Sequence, residues 1–350
     1  MSDIRILAID IGAGTQDILL YDSRTTIENC VKLILPSQTT ILAGRIARAT
    51  AAGRDIFLTG QLMGGGPCVR AIKRHLRQGF RVYATPQAAK TIRDNPAEVR
   101  ELGVRIVDVP PDGDVLVLET KDVDLEALRA ALAPFDVTLP EEYAIAVQDH
   151  GETLEGSQRR FRFRHWREFV RQGGELARLI YAPGETPSYL TRMLAVQETI
   201  PAAWVMDTGA AAFWGALCDP QVAAHRDEGL VIVNVGNQHT IGALVQGERI
   251  WGLFEHHTAI VDTARIGSLV EELQNGTLQN EVVYGENGHG AYIDPAYPGG
   301  FEFVAITGPQ RHLARGLGYY EAAPYGDMML SGAFGLVAAF LHRRGLPMHR

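Results

Sequence analysis

Apolar residues fall in short runs, broken by polar and glycine-rich turns, and the runs change period along the chain. Ile4–Asp10 and Thr15–Tyr21 are β-rich stretches joined by Gly12-Ala13-Gly14, the pattern of a tight hairpin. Further strand-length runs are expected at Asp55–Leu58, Phe80–Ala84, Val104–Val107, Val115–Leu118 and Tyr143–Val147. Between them, Pro67–Leu76, Gln87–Arg93 and Leu125–Leu132 have helical spacing, and residues 158–200 are mostly helical with breaks at Pro183 and Pro187. The second half repeats the style. A small-residue helix at Gly209–Leu217 precedes three strands at Leu230–Val235, Thr240–Val245 and Arg249–Phe254. A long helix is expected at Ala259–Leu273, a loop at Gly276–Gly300, a strand at Phe303–Thr307 and a last helix at Met328–Arg343. Such alternation predicts an α/β protein with layered sheets.

One pattern recurs. Ile6-Leu7-Ala8-Ile9-Asp10-Ile11-Gly12 is echoed 224 residues later by Leu230-Val231-Ile232-Val233-Asn234-Val235-Gly236. Each is an apolar run that ends in a carboxylate or amide, a spacer and a glycine, and each is followed by a second strand. A strand–turn–strand at the start of both halves suggests two related domains. The length of 350 residues also favours two domains over one.

Charge and cysteine usage narrow the class. The net charge of −8 argues against a non-specific nucleic-acid binder, which needs basic surface to neutralise phosphates. The basic stretch Arg159, Arg160, Arg162, Arg164, Arg167 and Arg171 fits a solvated helix face better than an anion site. Cys30, Cys68 and Cys218 are far apart, with no disulfide framework and no CxxC pair, which fits a reducing compartment. With no signal-peptide pattern and no run long enough to span a bilayer, the expectation is a cytoplasmic protein without membrane or nucleic-acid partners.

The first turn carries the chemistry. In Asp10-Ile11-Gly12-Ala13-Gly14-Thr15-Gln16-Asp17 the glycines let backbone N–H groups converge on one concave spot, and Thr15 adds a hydroxyl. Asp10, at the strand end, suits a hydrated Mg²⁺, which needs only one or two carboxylates. Strand alternation turns Asp17 to the same face as Thr15. A tight structural turn with incidental acids is the competing reading.

At these residues the chain resembles the actin-like ATPase (ASKHA) superfamily, which opens on an Asp-x-Gly-x-Gly-Thr hairpin. Ala202–Leu217 resembles the Ala-rich helix before the second phosphate motif of that superfamily, and Val233–Thr240 stands where that motif belongs. Val304-Ala305-Ile306-Thr307-Gly308-Pro309 resembles its adenosine motif, and Gly326-Asp327 with Gly332-Ala333-Phe334-Gly335 its closing helix. The resemblance implies two ribonuclease-H-like domains flanking a nucleotide cleft, here divided at 1–200 and 201–350. It implies ATP and Mg²⁺ as cofactors, with Gly12, Ala13, Gly14 and Thr15 facing Gly236, Asn237, Gln238, His239 and Thr240 across the phosphates. Gly308 would face the adenosine and Asp10 would hold the metal. The activity implied is slow ATP hydrolysis or phosphoryl transfer to a small molecule; the alternative is a nucleotide-dependent switch that a partner protein reads. Within the superfamily the chain resembles the family labelled "putative pyruvate formate-lyase activating enzyme". That label implies a radical enzyme, yet there is no Cys-x3-Cys-x2-Cys run to hold an iron–sulfur cluster.

The second motif departs from the pattern. Asn234 replaces an acid, Gln238 and His239 replace Gly and Thr, and Pro309 replaces a glycine of the adenosine turn. These changes bear on fast hydrolysis more than on nucleotide binding.

Other candidates lie outside the hairpins. Gly64-Gly65-Gly66 before a helix could cradle an anion or be a flexible loop. Asp149, at the end of a buried strand, is the candidate general base, with His150 beside it; a solvated strand end competes. Glu255, His256 and His257 are read as exposed, with Thr258 capping the next helix, and a substrate contact is the competing reading. Asn287, His289, Tyr292 and Asp294 sit on the Gly-rich loop without metal spacing.

Overall fold

The computed structural model describes residues 3–154 and 156–348. The chain begins with an antiparallel meander, β1 (Arg5–Ile11), β2 (Thr15–Asp22) and β3 (Val31–Pro36). It then leaves to build a parallel sheet from β4 (Asp55–Gly60), β5 (Val82–Ala84), β6 (Val104–Ile106) and β7 (Val115–Thr120), in the order β6-β5-β4-β7. Returning as β8 (Glu142–Val147), it lies parallel to β1 and completes the first sheet with β9 (Ile180–Tyr181) and β10 (Ala203–Met206), in the order β3-β2-β1-β8-β10-β9.

The second half repeats this plan. β11 (Leu230–Val235), β12 (His239–Gln246) and β13 (Arg249–His257) form the meander, extended by β14 (Gly290–Ile293). β15 (Phe303–Thr307) runs parallel to β11, and β16 (Tyr320–Glu321) parallel to β15. The two sheets thus share a three-strand meander whose first strand takes a parallel partner on its other side. This is the ribonuclease-H-like plan twice over, as the sequence echo led us to expect. The first sheet takes in Ala203–Met206, so it extends beyond residue 200, where the sequence pattern suggested a division.

Alternation within each strand sorts side chains between layers. Ile6 and Ala8 of β1 join Leu230 and Ile232 of β11 in one central core, while Leu7, Ile9 and Ile11 turn to an outer core of the first half. Val231, Val233 and Val235 turn to the opposite outer core. Both faces of each sheet are covered, which explains why these strands are continuous apolar runs. Between the sheets lie two helices rich in Ala and Gly, Thr208–Ala216 and Ser331–Arg343.

The inserted sheet has its own core with the helices Gln38–Ala51 and Gly66–Arg77. Its strand order reverses at β4, so the loops after β4 and β7 flank a crevice of the kind where open parallel sheets take ligands. Among the described residues no helix is long and apolar enough to cross a membrane.

Several expected elements shift. The long helix starts at Thr263, capped by Asp262, not at Ala259 with Thr258 as cap. The expected loop Gly276–Gly300 contains a short helix, Asn280–Gly285, and β14.

The two central helices touch through glycine. A Cβ on Gly335 would fall on the Ala211 carbonyl oxygen, and one on Gly215 on that of Ser331. Gly335→Ala should therefore cost about 1–3 kcal/mol by overpacking, read as a lower midpoint in denaturant unfolding. Gly285→Ala, where a Cβ meets nothing within 4 Å, should stay within about 0.5 kcal/mol of the parent. Equal midpoints for the two variants would contradict the close crossing.

Candidate functional site

Each meander turns tightly between its first two strands, and the two turns are built alike. Gly12 N–H donates to the Thr15 carbonyl at 2.9 Å, and Gly236 N–H donates to the His239 carbonyl at 2.9 Å. The turns face each other closely: a Cβ on Gly14 would lie 3.2 Å from Asn237 Nδ2. Between them opens a cleft of about 810 Å³, including its open mouth. Asp10, Gly12, Ala13 and Thr15 line one wall, and Gly236, Asn237, Gln238, His239 and Gly308 line the other. Most residues chosen from the sequence are thus brought to one place.

The first wall is acidic. Asp10 and Asp17 are register partners on β1 and β2. Their Oδ1 atoms are both enclosed and without a hydrogen-bond partner. Burial pushes the Asp10 carboxyl well above its ordinary range, and the charges of Asp17 and Asp207 add to this. Burial pushes Asp17 up to about 7, against the pull of a Thr15 side-chain hydrogen bond. Two partnerless carboxyl oxygens at the foot of a polar cleft fit a hard, hydrated dication, so these residues suit Mg²⁺. A Cβ on Gly332 would overlap Asp10 Oδ2, so the start of the Ser331–Arg343 helix packs directly on this carboxylate.

The second wall is neutral. Asn234 stands in the place of Asp10, and its register partner is Ile241, in the place of Asp17. Gly308 has φ +99°, and a Cβ there would come 2.5 Å from both Asn234 Oδ1 and the Val235 carbonyl oxygen, so only glycine fits. The chain after it is tied to the second turn, with Gln310 N–H donating to the Val235 carbonyl at 2.9 Å and Gln310 Nε2 to Asn237 Oδ1 at 3.1 Å.

Two expected contacts are corrected. Thr240 is fully buried and shares a hydrogen bond with Thr258, 3.0 Å away, so its hydroxyl turns away from the cleft. Thr258 in turn donates to the Gly236 carbonyl at 2.8 Å, bracing the turn from behind. Asp149 lines a different cavity, and both of its carboxylate oxygens accept hydrogen bonds. Gly151 N–H donates to Oδ1 at 2.8 Å, and the N–H groups of Arg192 and Met193 donate to Oδ2 at 2.9 Å each. It pins a helix start and lies outside the lining of the cleft between the turns, so it is not brought to the place where a general base was expected.

Arg162 overturns the solvated-face expectation for its helix. Arg160, Arg164, Arg167 and Arg171 are exposed, but Arg162 points inward and is buried. Its Nε donates to both Glu255 oxygens at 3.0 and 2.7 Å, and its Nη1 to Asp207 Oδ2 at 2.7 Å. Glu255 and His256 are buried too, contrary to expectation. Burial alone would raise the Glu255 carboxyl, but Arg162 and the nearby imidazoles outweigh it and hold the group well below the usual range. Gln148 Nε2 also donates to Glu255 Oε1, at 3.0 Å. Gln148, Arg162 and Glu255 all line the cleft. This network joins the strand end after β8 and the Gln158–Arg171 helix to β13 of the second half.

The triglycine is a fitted segment, not a slack loop. Cβ atoms on Gly64, Gly65 and Gly66 would meet Arg192 Nη2 at 2.6 Å, the Thr91 carbonyl at 2.7 Å and Gln238 Nε2 at 3.2 Å. The helix start after it thereby sits against the hairpin tips.

Removing Arg162 would strand two buried carboxylates. Arg162→Met should destabilise by about 3–5 kcal/mol, whereas Arg171→Met on the exposed face should change stability by less than about 0.5 kcal/mol. Urea unfolding of both variants checks this, and an Arg162→Met protein as stable as the parent would contradict the network.

No curated protein matches the chain. Among solved structures, the ethanolamine utilization protein EutJ from Carboxydothermus hydrogenoformans is 11% identical, covering 97% of this chain and 91% of its own, with a TM-score of 0.33. The ROK hexokinase from Thermus thermophilus is 12% identical over 98% of this chain and 100% of its own, with a TM-score of 0.32. A chain of the PilM-PilN type IV pilus biogenesis complex is 12% identical over 98% and 99%, with a TM-score of 0.36. The fold itself is established by the strand order and the duplicated hairpin turns. A family profile described as "Putative pyruvate format-lyase activating enzyme (DUF1786)" matches residues 63–313, and the chain belongs to that family.

Proposed function

We propose that the cleft binds ATP with Mg²⁺ and turns it over slowly, by hydrolysis or by phosphoryl transfer to a small molecule. The observation that carries this reading is the pair of partnerless carboxyl oxygens on Asp10 and Asp17 between two facing turns of the same build. Backbone N–H groups of the two turns would cradle the phosphates from opposite sides, with Thr15 adding a hydroxyl. Gly308 leaves room for the nucleoside end. Asp10, with Asp17 behind it, would hold the metal through water. Bound Mg²⁺ would neutralise charge on the phosphate oxygens. Glu255 stays ionised through Arg162, and with Gln148 it would orient a water or an attacking hydroxyl at the cleft's end. Asn234 and Ile241 leave the second wall without carboxylates, which favours slow turnover.

The radical chemistry that the family description implies finds no support in the cysteines. Cys30 and Cys68 are buried in two different cores, and burial pushes the thiols of Cys68 and Cys218 up to about 12. Among the described residues the cysteines form no ligand group.

One observation favours a second reading, a nucleotide-dependent switch read by a partner protein. The contacts of Gln148 and Arg162 with Glu255 cross between the halves beside the cleft, so closure would change them.

Purified protein with ATP and Mg²⁺ should be stabilised, by about 2.7 kcal/mol at a ligand concentration of 100 Kd, and should release phosphate slowly. Asp10→Ala should reduce release on the order of 100-fold or more. Calorimetry and a phosphate-release assay read the two effects. Tight binding without release in the parent would move the conclusion to the switch, and absence of nucleotide binding would overturn both readings.

A further inference from the structure

Behind the second turn four histidine rings gather from separate parts of the sequence. His150 follows β8 in the first half, His239 opens β12, His257 ends β13 and His289 precedes β14. The ring centres of His150 and His239 are 5.5 Å apart, those of His150 and His289 5.3 Å, and those of His239 and His289 5.0 Å. His257 stands 4.9 Å from both His239 and His289. One ring nitrogen from each of His150, His239 and His289 lies within 4.8 Å of the other two.

Two of these rings lack the partners that buried imidazoles normally have. Both nitrogens of His239 and both nitrogens of His289 are enclosed without a hydrogen bond. An imidazole always presents one N–H and one lone pair, so two such rings leave four polar atoms unsatisfied. Packing alone gives no reason to bring three or four of them together. From the geometry we infer that His150, His239 and His289 form a binding site for a transition-metal dication of the zinc class, bridging the two halves of the molecule.

The donor set selects the class of ion. Imidazole nitrogens suit Zn²⁺, Ni²⁺ or Cu²⁺, whereas Mg²⁺ takes oxygen ligands, so this site is chemically distinct from the Asp10 and Asp17 pair. A neutral imidazole is the form that ligates. In tetrahedral zinc, bonds of about 2.05 Å set neighbouring nitrogens about 3.4 Å apart. Side-chain movements of about 1 Å would close the trio onto one ion. Glu255 Oε2 lies 3.8 Å from His289 Nδ1, a carboxylate in the position from which outer partners orient metal-bound imidazoles. Arg162 and Arg159 are the nearby cations; Arg162 is paired with Glu255 and Asp207, and Arg159 donates to the Gly288 carbonyl at 2.7 Å.

Three protein ligands leave at least one position open to water or substrate, as in catalytic rather than structural zinc sites. His239 also lines the phosphate cleft, so the two sites share a wall. Because His150 comes from the first half and His239 and His289 from the second, an ion there would tie the halves at the cleft. The inference does not need nucleotide binding, and metal alone tests it.

The test uses the full chain, stripped of metal with a chelator and then titrated with Zn²⁺ by calorimetry and with Co²⁺ by visible absorption, without nucleotide. We expect one ion per chain and the absorption of a nitrogen-ligated, low-coordinate Co²⁺. His150→Gln and His289→Gln should each weaken binding by about 100-fold or more, beyond the loss typical of outer-sphere partners. Arg171→Met, on an exposed helix face, should leave Co²⁺ binding unchanged. Zn²⁺-dependent shifts of the imidazole ¹⁵N signals in the parent protein give a readout that needs no variant. Failure of the parent to bind one ion, imidazole signals that do not respond, or affinity that survives both histidine substitutions would overturn the inference.

Discussion

The closest constraint in the molecule is the crossing of the Thr208–Ala216 and Ser331–Arg343 helices between the two sheets. At Gly215 and Gly335 neither helix has room for a single added carbon, because the backbone of the other occupies it. Small residues bring the helices together, and the helices bring the sheets to a fixed spacing. The same Ser331–Arg343 helix begins against Asp10, where Gly332 leaves space for the carboxylate. Packing in the middle of the protein and the position of this buried acid are therefore one problem. Bulk at the crossing would change both the stability and the shape of the cleft foot.

Electrostatics then distinguishes the two walls. The first half contributes two carboxyl groups that burial keeps from ionising easily, a state that a dication would relieve. Beside them, Arg162 does the opposite for Glu255, which it holds ionised in an equally buried setting. Carboxyl groups that line one cleft are thus shifted in opposite directions by what faces them. Such a division is how one site separates a metal-holding group from a group that orients a nucleophile.

What was legible in the sequence was local. The strand–turn–strand echo is carried by residues within one turn of each other, so Asp10, Gly12 and Gly236 could be found without knowing the fold. The network was not legible because its members are distant: Arg162 pairs with residues 45 and 93 positions away. Inside a run of six arginines, nothing in the sequence singles out the one that turns inward. Asp149 misled for the same reason, since an acid at a strand end looks reactive until the backbone N–H groups of Met193 and Arg192 are seen to occupy it. Val31–Pro36 escaped notice because an edge strand is only half covered and its pattern is weak. Ala203–Met206 was masked by the Ala-rich helix that follows it.

The duplicated plan makes the differences between the halves informative. At equivalent positions the first half has Asp10, Thr15 and Asp17, and the second has Asn234, His239 and Ile241. The turn itself is preserved, down to the same backbone hydrogen bond, so the substitutions changed the chemistry and not the scaffold. With Asn234 and Ile241 at these positions, the second wall has no carboxylate to offer as a hard oxygen ligand there. Placing an imidazole where the first half has a hydroxyl introduced a softer donor, next to two other imidazoles that no phosphate clamp requires. The same scaffold thus presents oxygen chemistry on one wall and nitrogen chemistry on the other.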